Sequence, residues 1–189
     1  MIGFTIKTTQ TAPETSKKLL GAIEANLGFV PNIYGVFASA PAALNALVSL
    51  NSAFAESSFT PVEQEIIALT TSVYNQCPYC VAGHSTFALK HGVELETVSA
   101  IRAGGVSNNP RLQALGLMTL SILDKKGAIG AFEMRKFLNA GFRSSQTLEL
   151  LAGIAGKIMT NYASKFTRLP LDEKFSDQTW SPINVTKSA

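Results

Sequence analysis

Several features are missing from this 189-residue chain, and each absence narrows what it does. No stretch holds the ~18 consecutive apolar residues that a bilayer-spanning helix needs. The opening "MIGFTIKTTQTAPETSKK" has no basic region followed by an apolar core and a small-residue cleavage site, so it does not read as a signal peptide. The expected location is therefore the cytoplasm. Basic residues are scattered, as at Lys17, Lys18, Arg111, Lys125, Lys126, Arg135, Lys136 and Arg143, and the net charge is only +3. A nucleic-acid footprint needs a clustered basic stripe, so that class of partner is set aside. There is no low-complexity segment, no internal repeat and little sign of strands. Cysteine and histidine are scarce, with two of each: Cys77, Cys80, His84 and His91.

Apolar residues make up 46% of the chain, enough for a real core. Helical spacing of apolar residues recurs along most of it. "SKKLLGAIEANLG" carries Leu19, Leu20, Ile23 and Leu27 and stops at Gly28. Pro31 and Pro41 fit the first turns of the next two helices. In "FTPVEQEIIALTTSVYNQ", Thr60 caps, Pro61 takes the first helical position and Glu63 completes a capping box. Val62, Ile66, Leu69 and Val73 then form a core stripe. A helix is expected from about Pro78 to His91, ending at Gly92, and further helices over 94–102, 110–123, 130–139 and 145–163. The expectation is an all-α domain of about eight helices over residues 1–169. Residues 170–189 read as a tail whose Leu171, Phe175 and Trp180 dock on a neighbouring subunit.

The four scarce residues all fall within "CPYCVAGHSTFALKH", 77–91. With Pro78 in the first helical position, Cys77, Cys80 and His84 fall on one face, within about 60° of each other. Cysteines three apart permit a disulfide across the first turn. The helix N-terminus favours a thiolate there. His84 lies one turn beyond Cys80, within reach of its proton directly or through one water. Taken alone, a cysteine more often packs as a small hydrophobe. A zinc site competes too, but its fourth ligand is lacking. His91, in the last turn, suits the helix dipole and its free carbonyls. Glu65 borders the stripe of the preceding helix; if the two helices pack, it reaches His84 and fixes its tautomer. Otherwise it is a half-exposed surface glutamate. Phe87, Tyr74, Tyr34 and Phe37 either line an apolar pocket or fill the core.

"CPYC" matches the glutaredoxin tetrapeptide, but that fold needs a preceding strand, and here a helix precedes it. A longer pattern is similar to another family. Glu65, Cys77, Cys80 and His84, in the context "FTPVEQEIIALTTSVYNQCPYCVAGHSTFALKHG", resemble the signature of the alkyl hydroperoxidase D (AhpD)-like, carboxymuconolactone decarboxylase superfamily. "LGFVPNIYGVFASAPAAL" resembles the upstream segment of its peroxidase-related branch, so the resemblance covers Leu27 to Gly105. It implies an AhpD-like all-α fold, homo-oligomers (trimers or hexamers), and thiol peroxidase chemistry without a cofactor or a metal. By position, Cys80 resembles the peroxidatic cysteine, Cys77 the resolving one, and His84 with Glu65 the proton relay. The substrate implied is a hydroperoxide, reduced at the expense of an external dithiol or a peroxiredoxin partner. Tyr79 stands where the family's best-studied pattern has a histidine. The cysteine pair argues against decarboxylation, because decarboxylase members generally lack it. The alternatives are an electron-relay partner of a peroxiredoxin, or a non-catalytic redox or zinc-binding module.

Overall fold

The computed structural model describes residues 3–182. They form nine α-helices: α1 (Glu14–Leu27), α2 (Asn32–Phe37), α3 (Pro41–Ala55), α4 (Pro61–Tyr74), α5 (Pro78–Lys90), α6 (Leu95–Arg102), α7 (Pro110–Asp124), α8 (Ala131–Asn139) and α9 (Gln146–Thr167). A 3-10 turn, Glu173–Gln178, follows. No strand occurs among the described residues, so the all-α expectation holds. Among the same residues, no helix is long and apolar enough to cross a membrane.

The central helix is α4, packed against α5, α7 and α9. Its start is the capping box read from the sequence: Glu63 N–H donates to Thr60 Oγ1, and the Glu63 carboxylate accepts from the Thr60 backbone N–H. From Ile66 to Val73 every residue is buried. A helix enclosed on all sides has to satisfy its polar groups internally. Accordingly, the hydroxyls of Thr71 and Ser72 donate to the carbonyls of Ile67 and Ala68 at 2.7 Å. Ile66, Ile67 and Leu69 join Val98, Ile101, Leu115 and Ile154 in the main core. Removing one such side chain to alanine costs ~2–5 kcal/mol.

Two glycines seat α9 against α3. A Cβ on Gly153 would come within 2.6 Å of the Phe54 ring, and one on Gly156 within 2.9 Å of Asn51 Oδ1. Glycine in a helix interior costs ~1 kcal/mol relative to alanine, so the close approach is what favours it at both positions.

The segment after Pro170 differs from the expected tail. Within this chain it folds back onto α5. Phe175 is buried against Gly83, where a Cβ would lie 3.3 Å from the ring, and meets Phe29, Tyr79 and Phe87 edge-on. Arg102 donates to the carbonyls of Gln178 and Thr179, and Trp180 Nε1 donates to the carbonyl of Arg102. Phe175 and Trp180 thus dock on their own chain. Their anchors are irregularly spaced and far away in sequence, so no periodicity announced them. Residues 183–189 of that expected tail, and Met1 and Ile2, lie outside the described residues.

Candidate active site

The first turn of α5 builds the cysteine pair. Cys77 is the N-cap residue, and its Sγ accepts the backbone N–H of Cys80 at 3.4 Å. Ser164 of α9 places its hydroxyl 2.9 Å from Cys77 Sγ and 3.9 Å from Cys80 Sγ. Both thiols are free. Cys77 is sealed, at 0% exposure, whereas Cys80, at 5%, lines a cavity of about 520 Å³.

The two sulfurs are electrostatically unequal. The thiol of Cys77 is pulled down to about 7, chiefly by the hydrogen bond from the Cys80 side chain, against the opposing effect of burial. Ser164 and the Cys80 backbone N–H add to the lowering. Burial and then the charge on Cys77 push Cys80 well above its ordinary value. The first proton the pair gives up therefore leaves its charge on the hidden sulfur, with the remaining proton on the one that faces the cavity. The sequence reading put thiolate character on both cysteines; the cap geometry concentrates it on Cys77.

The expected contact between α4 and α5 is present. His84 Nδ1 lies 2.9 Å from Glu65 Oε2, with both side chains largely buried. A carboxylate only accepts, so Nδ1 carries the proton and Nε2 is left as an acceptor. His84 makes no hydrogen bond to either sulfur among the described residues. Its Nε2 is instead met at 2.8 Å by the Nζ of Lys157, from α9. Burial first, then Lys157, lowers the imidazole's affinity for a second proton. His91, expected at the helix end, has its Nδ1 3.7 Å from Glu65 Oε1.

Lys157 is the residue that the sequence reading missed. Among the described residues no carboxylate lies within ion-pair distance of it. Burial lowers its pKa, opposed by Cys80, Glu65 and Cys77. The one signal in the sequence was Gly153 and Gly156 inside a helical pattern, marking a face that approaches a neighbour closely.

Phe54, Phe87, Phe175, Tyr34 and Ile33 supply apolar walls to the cavity. Tyr34 and Phe87 therefore line it, as one reading of the aromatics anticipated. Tyr74 lies instead in a separate cleft of about 710 Å³ with Tyr162 and Asp124, and Phe37 packs with Leu20 and Leu44. Tyr79, between the cysteines, accepts the Ile33 N–H and donates to Asp172 Oδ2 at 2.5 Å. Its hydroxyl is raised by burial first, then by Asp172, so it is held as a neutral donor. In that state it braces α5 against α2 and the C-terminal segment. No cluster of three His, Cys, Asp or Glu side chains suited to a metal occurs among the described residues, so Cys77, Cys80 and His84 do not form one.

This is an AhpD-like helical fold with a dithiol at its cavity. The same arrangement of helices occurs in an uncharacterised peroxidase-related protein with an alkylhydroperoxidase AhpD core from Ralstonia eutropha JMP134, with TM-score 0.82 and 19% identity, covering 91% of this chain and 93% of that one. A peroxidase-related protein from Silicibacter sp. TM1040 gives TM-score 0.75 at 19% identity, over 88% and 89% of the two chains. The debrominase Bmp8, in a cysteine-to-alanine form bound to 2,3,4-tribromopyrrole, gives 0.77 at 16% identity, over 94% and 95%. Residues 41–118, from α3 into α7, match the carboxymuconolactone decarboxylase family, in line with the resemblance read from the sequence. No curated protein matches the chain.

Proposed function

We propose that the protein is a thiol-dependent peroxidase that reduces organic hydroperoxides through a Cys77/Cys80 dithiol–disulfide cycle. The observation that carries this reading is the placement of Cys80 at an apolar cavity, with Cys77 behind it and the Glu65–His84 pair beside it. The Cys80 thiolate attacks the terminal oxygen of the hydroperoxide, and the alcohol leaves. Cys80 becomes a sulfenic acid, which condenses with Cys77 to give the disulfide and water. An external dithiol restores the pair. Glu65 fixes His84, whose Nε2 meets Lys157, and through Lys157 the pair serves the proton transfers at the Cys80 end of the cavity. The apolar walls favour an organic hydroperoxide over hydrogen peroxide.

Service as an electron relay to a peroxiredoxin is the competing reading. It needs a sulfur that another protein can reach, and both sulfurs here lie beneath the surface, which supports the small-molecule reading. Aromatic walls also suit a flat halogenated ring, so 2,3,4-tribromopyrrole belongs in the same assay. Assembly into a homo-oligomer is supported by a row of exposed apolar residues along α9, namely Leu148, Leu151, Tyr162 and Phe166.

The test is mass spectrometry after one equivalent of cumene hydroperoxide. The expected product has lost two hydrogens and carries a Cys77–Cys80 link. Peroxide consumption that continues unchanged in Cys80→Ser protein supplied with a dithiol would end the proposal.

A further inference from the structure

A buried ammonium needs a negative neighbour, and Lys157 has no carboxylate at ion-pair distance among the described residues. The groups that face it are Glu65 from α4, the sulfurs of Cys77 and Cys80, and His84 from α5. Tyr34, Tyr79, Lys90 and His91 line the same cavity. Glu65 engages His84 and lies toward His91, so its charge is shared, and the sulfur pair supplies the rest of the charge that balances Lys157. His84 Nε2, held as an acceptor by Glu65, aims one N–H of Lys157 and leaves its others for the cavity. Cys80 lines that cavity with Lys157.

We infer that Lys157 is the general acid that protonates the oxygen leaving the hydroperoxide, with Glu65 and His84 positioning it. This inference rests on the peroxidase reading above. In the resting state the two sulfurs hold one proton between them, and Lys157 is an ammonium. The shared proton moves to Cys77, and the Cys80 thiolate attacks the distal oxygen. An S–O bond forms and the O–O bond breaks; the sulfur is oxidised by two electrons and the hydroperoxide is reduced. The leaving alkoxide takes a proton from Lys157 and departs as the alcohol, while the distal oxygen keeps its hydrogen as the sulfenic acid. Cys77 then displaces hydroxide from Cys80, and the hydroxide takes the Cys77 proton and leaves as water. The sum is one disulfide, one alcohol, one water and a neutral Lys157. Burial favours the neutral amine once the sulfur charge has gone, in keeping with the lowered affinity of Lys157 for its proton.

A leaving group that needs no proton separates this role from one of charge or packing. Cumene hydroperoxide loses an alkoxide, which must be protonated; peracetic acid loses acetate, which need not be. Single-turnover thiol loss is measured for wild-type, Lys157→Met and Lys157→Arg proteins, with thermal melts to confirm folding. Arginine keeps the cation but does not give up its proton. Both variants should slow about 100-fold with cumene hydroperoxide, in the range of general acid catalysis, and less than about 10-fold with peracetic acid. An equal loss with both peroxides, or retention of the cumene hydroperoxide rate in Lys157→Arg, overturns the inference while leaving the peroxidase reading intact. Wild-type protein inert towards both peroxides overturns the two together.

Discussion

Glu63 and Glu65 lie two residues apart on α4, both largely buried, and they do different work. Glu63 faces the α7 side. Its carboxylate takes the Thr60 N–H and hydroxyl at 2.9 and 3.1 Å, and the Nε of Arg111 at 2.7 Å. Arg111 in turn lies 3.9 Å over the Phe142 ring and donates to the carbonyl of Ala140. That cluster is saturated, and neither Glu63 nor Arg111 lines the 520 Å³ cavity. Glu65 belongs to a chain that is open at one end, running through His84 and Lys157 to the cavity that Cys80 lines. On the proposed reading, buried charge serves stability where every partner is fixed, and chemistry where the last partner is missing.

The contrast can be tested by substitution. The largest effect is expected for Cys80→Ser, with peroxide turnover falling at least ~1000-fold while the thermal midpoint stays within a few degrees, since the nucleophile is gone and the volume barely changes. Glu65→Gln should lower turnover ~10–100-fold with little loss of stability, read from steady-state rates beside denaturant melts. Glu63→Ala should reverse that pattern, costing ~2 kcal/mol of unfolding free energy through the lost cap and the stranded Arg111, with turnover per folded molecule unchanged. If both glutamates lost activity and stability alike, the division between them would be false.

Two smaller effects involve protons. The ultraviolet thiolate absorbance of the wild-type protein should rise through an inflection at about 7 that vanishes in Cys77→Ser. The imidazole of His84 is held below its ordinary value when folded, so between its folded pKa and ~6.5 the unfolded chain binds more protons. Stability from this group is complete above ~6.5 and is lost as the pH falls toward the folded pKa, by at most ~1.4 kcal/mol per pH unit. His84→Gln should flatten that acid limb in melts taken between pH 7 and 5.

What could be read from the sequence follows the same division. The capping box, Glu65, the cysteine pair and His84 lie within residues 60–84, on two consecutive helices whose periodicity fixes which faces meet. Nothing comparable pointed to Lys157, Ser164 or Asp172. They come from 73 to 93 positions beyond the α5 groups they touch. On its own helix, Lys157 resembles any polar residue of an amphipathic surface. The helices themselves were legible because caps, prolines and glycines punctuate them. The fold of residues 173–178 was not, because scattered contacts with Phe29, Tyr79, Phe87 and Arg102 hold it rather than a repeating pattern.

The absent side chain at Gly153 has a further consequence. Position 153 sits one turn before Lys157, pressed on Phe54 with no room for a methyl group. An alanine there would lift that stretch of α9 off α3 and carry the ammonium away from its imidazole. The damage would surface as an enzyme that still folds but works slowly, caused by a residue that touches none of the reacting atoms.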